Sequence, residues 1–499
     1  MGVMTTKADA REEAAARREK MLIGGEWLDA ADGRTFDVET PAVRGQVIAK
    51  VPRGGAADVD RAVKAAATAF PTWRATAPRD RGRILGKIAD DLETAIEDLG
   101  RTLASETGNA IRTQARPEAK TTADVFRYFS GLGGELKGET IPLGETMFSY
   151  TRREPLGVVA AIVPWNVPIL ISAWKVAPAL IAGNTVVLKP SANAPLAALA
   201  LARIAQRHLP KGVLNVVTGT GDEVGTPLAE HPGVAKISFT GNTETGKAIL
   251  RLAADRIIPV TLELGGKSPQ ILFPDTDSEA TADGVIAAMR FARQGQSCTA
   301  GSRLFLHQTV FDSFLDKLAT KLNKMKVGDP LDEANDMGAI VSRQQFERVV
   351  GFIDEGSHQQ GARTVVGGAP PTEGPLAKGY YVEPTVFANV RNDWRIAKEE
   401  IFGPVLVAIP WSDEADAVRM ANDTHYGLAA YVWSRDITRA LRTAHAIDAG
   451  WVQVNQGIGQ VVGQPYGGYK ESGLGRENSL EGMLEGFTQR KSVTINLAN

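Results

Sequence analysis

From Leu156 the chain alternates regularly between short β-rich runs and longer helical ones, and this narrows the fold more than any other feature. "LGVVAAIV" (156–163), "TVVLK" (185–189), "VLNVVT" (213–218), "AKISFT" (235–240) and "PVTLEL" (259–264) read as strands. Between them "PILISAWKVAPALI", closed by Gly183 and Asn184, "APLAALALARIAQRHL", "DEVGTPLAE" and "TETGKAILRLAADR" read as helices. Short apolar strands that each give way to a helix predict a parallel sheet covered on both faces, and so an α/β fold.

Ligands of open parallel sheets gather beyond the carboxyl ends of the strands. There the first strand runs into "PWNVP", with Trp165 and Asn166, and the second into "KPSA", Lys189 to Ala192. The third opens onto "GTGDEVG", the fourth onto "GNTETG" and the fifth closes with "ELGGK". Gly219, Gly221 and Gly225 fit either plain turns or a nucleotide loop. In "FTGNTETGK" a strand ends at Gly241 and a helix starts within two or three residues, so free N–H groups and the helix dipole offer a pyrophosphate site. Lys189 reads either as a solvated strand-end lysine or as a contact to the ribose or adenine side of a dinucleotide.

"FARQGQSCTAGSR" (291–303) holds the only cysteine of 499 residues, among polar neighbours. A lone cysteine is often an inert small hydrophobe. Cys298 follows the helical run "DGVIAAMRFARQGQ" and precedes the β-like "RLFLHQTV", which places it near a helix C-terminus or in the loop beyond. The dipole there opposes ionisation, and a free thiol near pKa ~8.5 is only about a few per cent thiolate at neutral pH. A working nucleophile therefore needs a base, for which Glu263 is the candidate. Asn166 and the Cys298 backbone N–H could hold a developing oxyanion; otherwise Asn166 is a turn residue between prolines.

A single cysteine excludes an intrachain disulfide and a thiolate metal cluster, and no metal centre is predicted. The formal charge of −2 gives no footprint for nucleic acid or anionic membrane. "LGVVAAIVPWNVPILISAW" is long and apolar, but Pro164, Asn166 and Pro168 split it into strand and helix. Residues 1–20 mix both charge signs and read as a solvated leader, helical or disordered, without an export signal. A cytoplasmic protein acting on a small molecule is expected.

"VPWNVP", "GNTVVLKPS", "SFTGNTETG", "LELGGKSP", "GQSCTAGSR", "EEIFGPV", "ANDTHYGLAA" and "PYGGYKESGLGRE" together resemble the aldehyde dehydrogenase superfamily, in that family's order and from about residue 20 to the C-terminus. The resemblance implies a Rossmann-type cofactor domain (21–136 and 156–266), an α/β catalytic domain (267–463) and a β oligomerisation arm (137–155 and 482–499). It implies non-acylating oxidation of an aldehyde to the acid with NAD or NADP. Cys298 would attack the carbonyl, Asn166 and the Cys298 N–H would hold the oxyanion, and Glu263 would activate the water that hydrolyses a thioester.

Glu400 and Phe402 resemble the residues that hold the nicotinamide ribose and ring. Ile162, Trp165, Lys189, Ser191, Gly221, Gly225, Gly241, Asn242, Thr245 and Leu264 would line the rest of the cofactor cleft. Many NAD-preferring members carry glutamate where this chain has Ala192, so NADP is admissible. Asn242 stands where many have serine. Glu263, which the CoA-acylating branch usually lacks, favours release of the free acid.

Val167, Ile171, Trp174 and Ser297 would face the substrate tunnel, with "NQGIGQVVGQ" as its rim. Arg290 and Arg293, on the helical run before Cys298, could anchor an acid group if they point inward. The arm would pair "TMFSYTRREP" with "FTQRKSVTINL", and exposed strands of this kind predict a homodimer or homotetramer. Two rival readings are a binding protein that keeps the cleft without chemistry and a cysteine hydrolase pairing Cys298 with a histidine such as His425.

Overall fold

The five apolar runs are adjacent parallel strands in a computed structural model that describes residues 17–498: Val158–Ile162, Thr185–Lys189, Leu214–Val216, Val234–Thr240 and Val260–Glu263. Their spatial order is third, second, first, fourth, fifth. The winding therefore reverses between the first and fourth strands, the switch point at which such sheets open a crevice. Ile162 lies opposite both Lys189 and Phe239, and Thr240 opposite Glu263, so the strand ends form one edge. The hairpin of Met21–Ile23 and Glu26–Leu28 and the short strand Gly473–Leu474 complete an eight-stranded sheet.

Covered faces explain the unbroken apolar runs. Every side chain of Val158–Ile162 and Thr185–Lys189 is buried, and of the helix Pro168–Ala182 only Leu170 is not fully so. At about 1.5–3 kcal/mol for each large aliphatic side chain buried, this helix contributes heavily to the core. Proline opens it, where no N–H is needed, and Gly183 closes it at φ 98°.

A second, seven-stranded sheet runs in the order Arg363–Val366, Thr385–Ala388, Val405–Trp411, Arg303–His307, Pro269–Leu272, Ala429–Trp433, Trp451–Val454. Its pairs are parallel except at the Arg363–Val366 edge. The chain crosses from the first sheet to the second through Gly265 and Gly266, between Glu263 and Pro269. Only glycine suits Gly266, because a Cβ there would overlap the Cys298 carbonyl oxygen.

Met147–Pro155 pairs antiparallel with Thr488–Asn496 over nine residues, with Thr140–Pro142 on its other side. Ile141, Phe148 and Ile495 on these strands are exposed. Of the expected leader, residues 1–16 lie outside the described part of the chain. The boundary at residue 20 falls late, since Arg18 bridges to Lys50 and the buried Glu19 pairs with Arg203 at 2.6 Å. Among the described residues no helix is long and apolar enough to cross a membrane, and no cluster of three or more His, Cys, Asp or Glu side chains could hold a metal ion.

Candidate active site

Cys298 sits in a loop, not on a helix. The helix Glu279–Ala288 stops short of the run read from sequence, because Arg290 and Gln294 take left-handed backbone at φ 58° and 52° around a single 3-10 turn, Phe291–Arg293. Arg290 and Arg293 therefore lie outside the α-helix, Arg293 in the 3-10 turn. The loop is pinned from several sides: Asn166 Nδ2 donates to the Gln296 carbonyl at 3.0 Å, Val341 N–H to Gln296 Oε1 at 3.1 Å and the Tyr431 hydroxyl to the Thr299 carbonyl at 2.8 Å. Asn109 Nδ2, which sequence reasoning did not single out, donates to the Asn166 carbonyl at 3.1 Å. The Cys298 backbone N–H makes no hydrogen bond among the described residues.

Two cavities, of about 710 and 500 Å³, meet at this loop, and among the described residues Asn166 and Cys298 alone line both. All twelve residues assigned from sequence to the cofactor line the larger: Ile162, Trp165, Lys189, Ser191, Gly221, Gly225, Gly241, Asn242, Thr245, Leu264, Glu400 and Phe402. The four tunnel residues, Val167, Ile171, Trp174 and Ser297, line the smaller, together with Gly457 to Gln460 of the expected rim. Glu263 lines neither.

In the larger cavity Asn242 caps the helix Thr243–Ala254, its Oδ1 accepting from Thr245 N–H at 2.8 Å, so its side chain is spent on the cap. Asp222–Gly225, read as the start of a helix, belongs instead to a π turn, Gly221–Gly225, that leads into the helix Thr226–Glu230 and is capped by Thr220. Lys189 is buried, and desolvation lowers its pKa to about 8. Glu400 accepts from Gly266 N–H at 2.8 Å, and burial raises its carboxyl to about 7. Phe402 holds a left-handed backbone, φ 59°, which costs a non-glycine residue about 1–3 kcal/mol. Gln345, absent from the sequence reading, secures it by donating to its carbonyl at 2.9 Å, and the Phe402 ring meets Trp165 edge-on at 5.3 Å.

The Glu263 carboxyl is 2% exposed, and neither oxygen has a hydrogen-bond partner. Burial first, and then the charge of Glu477, raise its pKa well above the ordinary value, against the pull of Lys175 and Arg476. In this rotamer the carboxyl is set back from both cavities. Gly467 leaves it room, since a Cβ there would lie 3.0 Å from Glu263 Oε1.

Burial pushes the Cys298 thiol up to about 11, and its one hydrogen bond is with the Tyr466 hydroxyl at 3.4 Å. Among the described residues no histidine is hydrogen-bonded to the sulfur, and His425 lines the larger cavity, its ring tilted against Tyr426 at 4.0 Å. No Cys–His pair is thus formed at the thiol, although His425 shares the larger cavity with Cys298. Tyr466 lies within "PYGGYKESGLGRE", but its meeting with Cys298 spans 168 residues and leaves no local signal.

A parallel sheet with a switch-point cleft, and a thiol where that cleft meets a second cavity, define an α/β enzyme with a dinucleotide-type site. The family model described as "Aldehyde dehydrogenase family" matches residues 27–493, and the chain belongs to that family. It is similar to PnpE from Pseudomonas sp. WBC-3, with 40% identity over 96% of this chain and 98% of that one at a TM-score of 0.93. The NAD-dependent aldehyde dehydrogenase from Sinorhizobium meliloti is 38% identical over 100% and 98% of the two chains, with a TM-score of 0.95. An aldehyde dehydrogenase from Bacillus cereus, solved as its NAD+ complex, is 38% identical over the whole of both chains, with a TM-score of 0.94.

Proposed function

We propose that this protein oxidises an aldehyde to the carboxylic acid with NAD+, through a thioester on Cys298 that is hydrolysed to the free acid. The observation that carries this reading is the placement of Cys298 and Asn166, alone among the described residues, in the walls of both cavities. The larger cavity fits a dinucleotide: the Asn242 cap leaves the first N–H groups of its helix available for pyrophosphate, Lys189 supplies a buried cation, and Trp165 and Phe402 supply an aromatic wall. When bound, the dinucleotide supplies the hydride acceptor. The NAD+ complex of the Bacillus cereus relative supports NAD+ here, and with Ala192 in place of a carboxylate nothing at that position repels the 2′-phosphate of NADP+.

In the chemistry we assign, the Cys298 sulfur bonds to the aldehyde carbon while the thiol proton leaves to solvent. The free Cys298 N–H and the Asn166 amide N–H not used on Gln296 hold the oxygen that becomes negative. Once hydride has left that carbon, Cys298 carries an acyl thioester. Glu263, once ionised, turns from its buried rotamer and takes a proton from water; the hydroxide adds to the thioester carbon, the C–S bond breaks, the Cys298 thiolate leaves and takes up a proton, and the carboxylic acid is released.

We assign residues 21–136 and 156–266 to cofactor binding, 267–463 to catalysis, and 137–155 with 482–499 to an oligomerising arm whose exposed Phe148 and Ile495 favour a dimer or tetramer. A cytoplasmic location fits the single cysteine. The test is to follow reduced-cofactor absorbance with a panel of aldehydes and NAD+ or NADP+. Reduction that requires Cys298 upholds the reading; silence with every pair overturns it in favour of a binding protein.

A further inference from the structure

The smaller cavity holds a cation that the fold leaves without a partner. Arg293, half-buried in its wall, has a buried Nε with no acceptor, and its guanidinium makes neither a hydrogen bond nor an ion pair among the described residues. A shielded guanidinium carries up to five donors and is costly to leave unpaired, whereas a carboxylate satisfies two of them at once.

The nearby charged groups do not fill that role. Glu118 is buried in the same wall and its charge acts on Arg293 without forming an ion pair with it: its Oε1 accepts from Ile169 N–H at 3.1 Å and Leu170 N–H at 3.4 Å, capping the helix that carries Trp174, and its Oε2 has no hydrogen-bond partner. Burial also raises its carboxyl to about 7, which weakens it as a fixed counter-charge. Arg290 is spent on structure, donating to the carbonyls of Gly457 at 2.8 Å and Ile458 at 2.7 Å, so it ties down the rim loop. Burial lowers Arg293 to about 10, which still leaves it charged at neutral pH. Asp283, at the same wall, is paired with Lys321 at 2.8 Å, and the rest, including Val167, Ile171 and Trp174, is largely apolar.

We infer that this cavity selects aldehydes bearing a carboxylate at the far end of a short apolar chain, with Arg293 as the anchor of the acid group. The inference rests on the aldehyde-oxidising reading above and supplies its substrate class. Arg293 acts as a specificity-determining residue, and Arg290 as a positioning residue for the rim.

The test compares matched pairs of equal length, 4-oxobutanoate with butanal and 6-oxohexanoate with hexanal, using full-length enzyme and NAD+. For at least one length the acid-bearing aldehyde should show a kcat/KM about 100-fold higher. In Arg293→Met that ratio should fall to about 1, chiefly through KM, and Arg293→Lys should restore part of it. Arg290→Met should lower both members of a pair together.

A readout free of turnover uses the single thiol: glutarate should slow alkylation of Cys298 by iodoacetamide in the wild type and not in Arg293→Met. Equal or reversed preference at both lengths overturns the inference, as does a preference that survives Arg293→Met. If no aldehyde is oxidised, the function reading fails, and the glutarate experiment alone decides the anchor: Arg293-dependent protection upholds it and absence of protection overturns it.

Discussion

The Tyr466 hydroxyl stands 3.4 Å from the Cys298 sulfur, with the Tyr466 ring held near Trp174 at 5.2 Å and Trp451 at 6.1 Å. Burial raises the Cys298 thiol to about 11, and the bond from Tyr466 is the strongest influence lowering it again. Thiolate should therefore accumulate steadily from neutral pH towards about 11, and alkylation of the single cysteine should speed up in parallel. Tyr466→Phe keeps the ring and removes the donor, so the pKa should rise by about one unit and alkylation at pH 8 should slow about tenfold. An unchanged rate-against-pH curve would mean that the phenol only packs against the loop.

Asn166 has two duties that can be separated. One amide N–H holds the Gln296 carbonyl, and we assign the other to the oxyanion. Asn166→Ala should lower kcat by about 100- to 1,000-fold, leaving the KM for NAD+ nearly unchanged. Asn109→Ala, which removes only the support to the Asn166 backbone at 3.1 Å, should cost much less. Steady-state kinetics with both substrates varied checks the two together.

Behind Glu263 lies the ion pair of Lys175 and Glu477, 2.8 Å apart with both side chains 0% exposed. Ser238 Oγ donates to the same Glu477 oxygen at 2.8 Å. Lys175→Met strands a buried carboxylate and should destabilise the fold by about 3–5 kcal/mol, a fall of about 3–5 °C in Tm for a chain of this size. Adding Glu477→Leu should recover most of the loss. Thermal unfolding of the single and double variants measures this, and a double variant no better than the single would contradict it.

The strands and helix ends were legible because their signals are local: apolar runs, Pro168 at a helix start, Gly183 at its end. The residues after each strand could be placed on one edge because topology alone puts them there. The Tyr466–Cys298 contact was not legible, since it joins segments 168 residues apart. Nor was the setting of Glu263, because spacing does not fix a rotamer, and burial beside Glu477 keeps the carboxyl away from the cavities. The helix before Cys298 was overextended for a related reason: the left-handed turn at Arg290 is held by distant carbonyls at Gly457 and Ile458.

Because burial and Glu477 hold the Glu263 proton, the hydrolytic step should speed up as pH rises and Glu263 ionises, so wild-type kcat should climb with pH. Glu263→Gln removes that base while leaving the thiol, so acylation should proceed and deacylation stall. The most direct test is the intact mass of Glu263→Gln quenched seconds after mixing with an oxidisable aldehyde and NAD+. One acyl group per chain, absent when Cys298→Ala is added, with about one equivalent of cofactor reduced, is the predicted result. An unmodified chain together with sustained turnover at the wild-type rate would contradict a thioester on Cys298 that depends on Glu263.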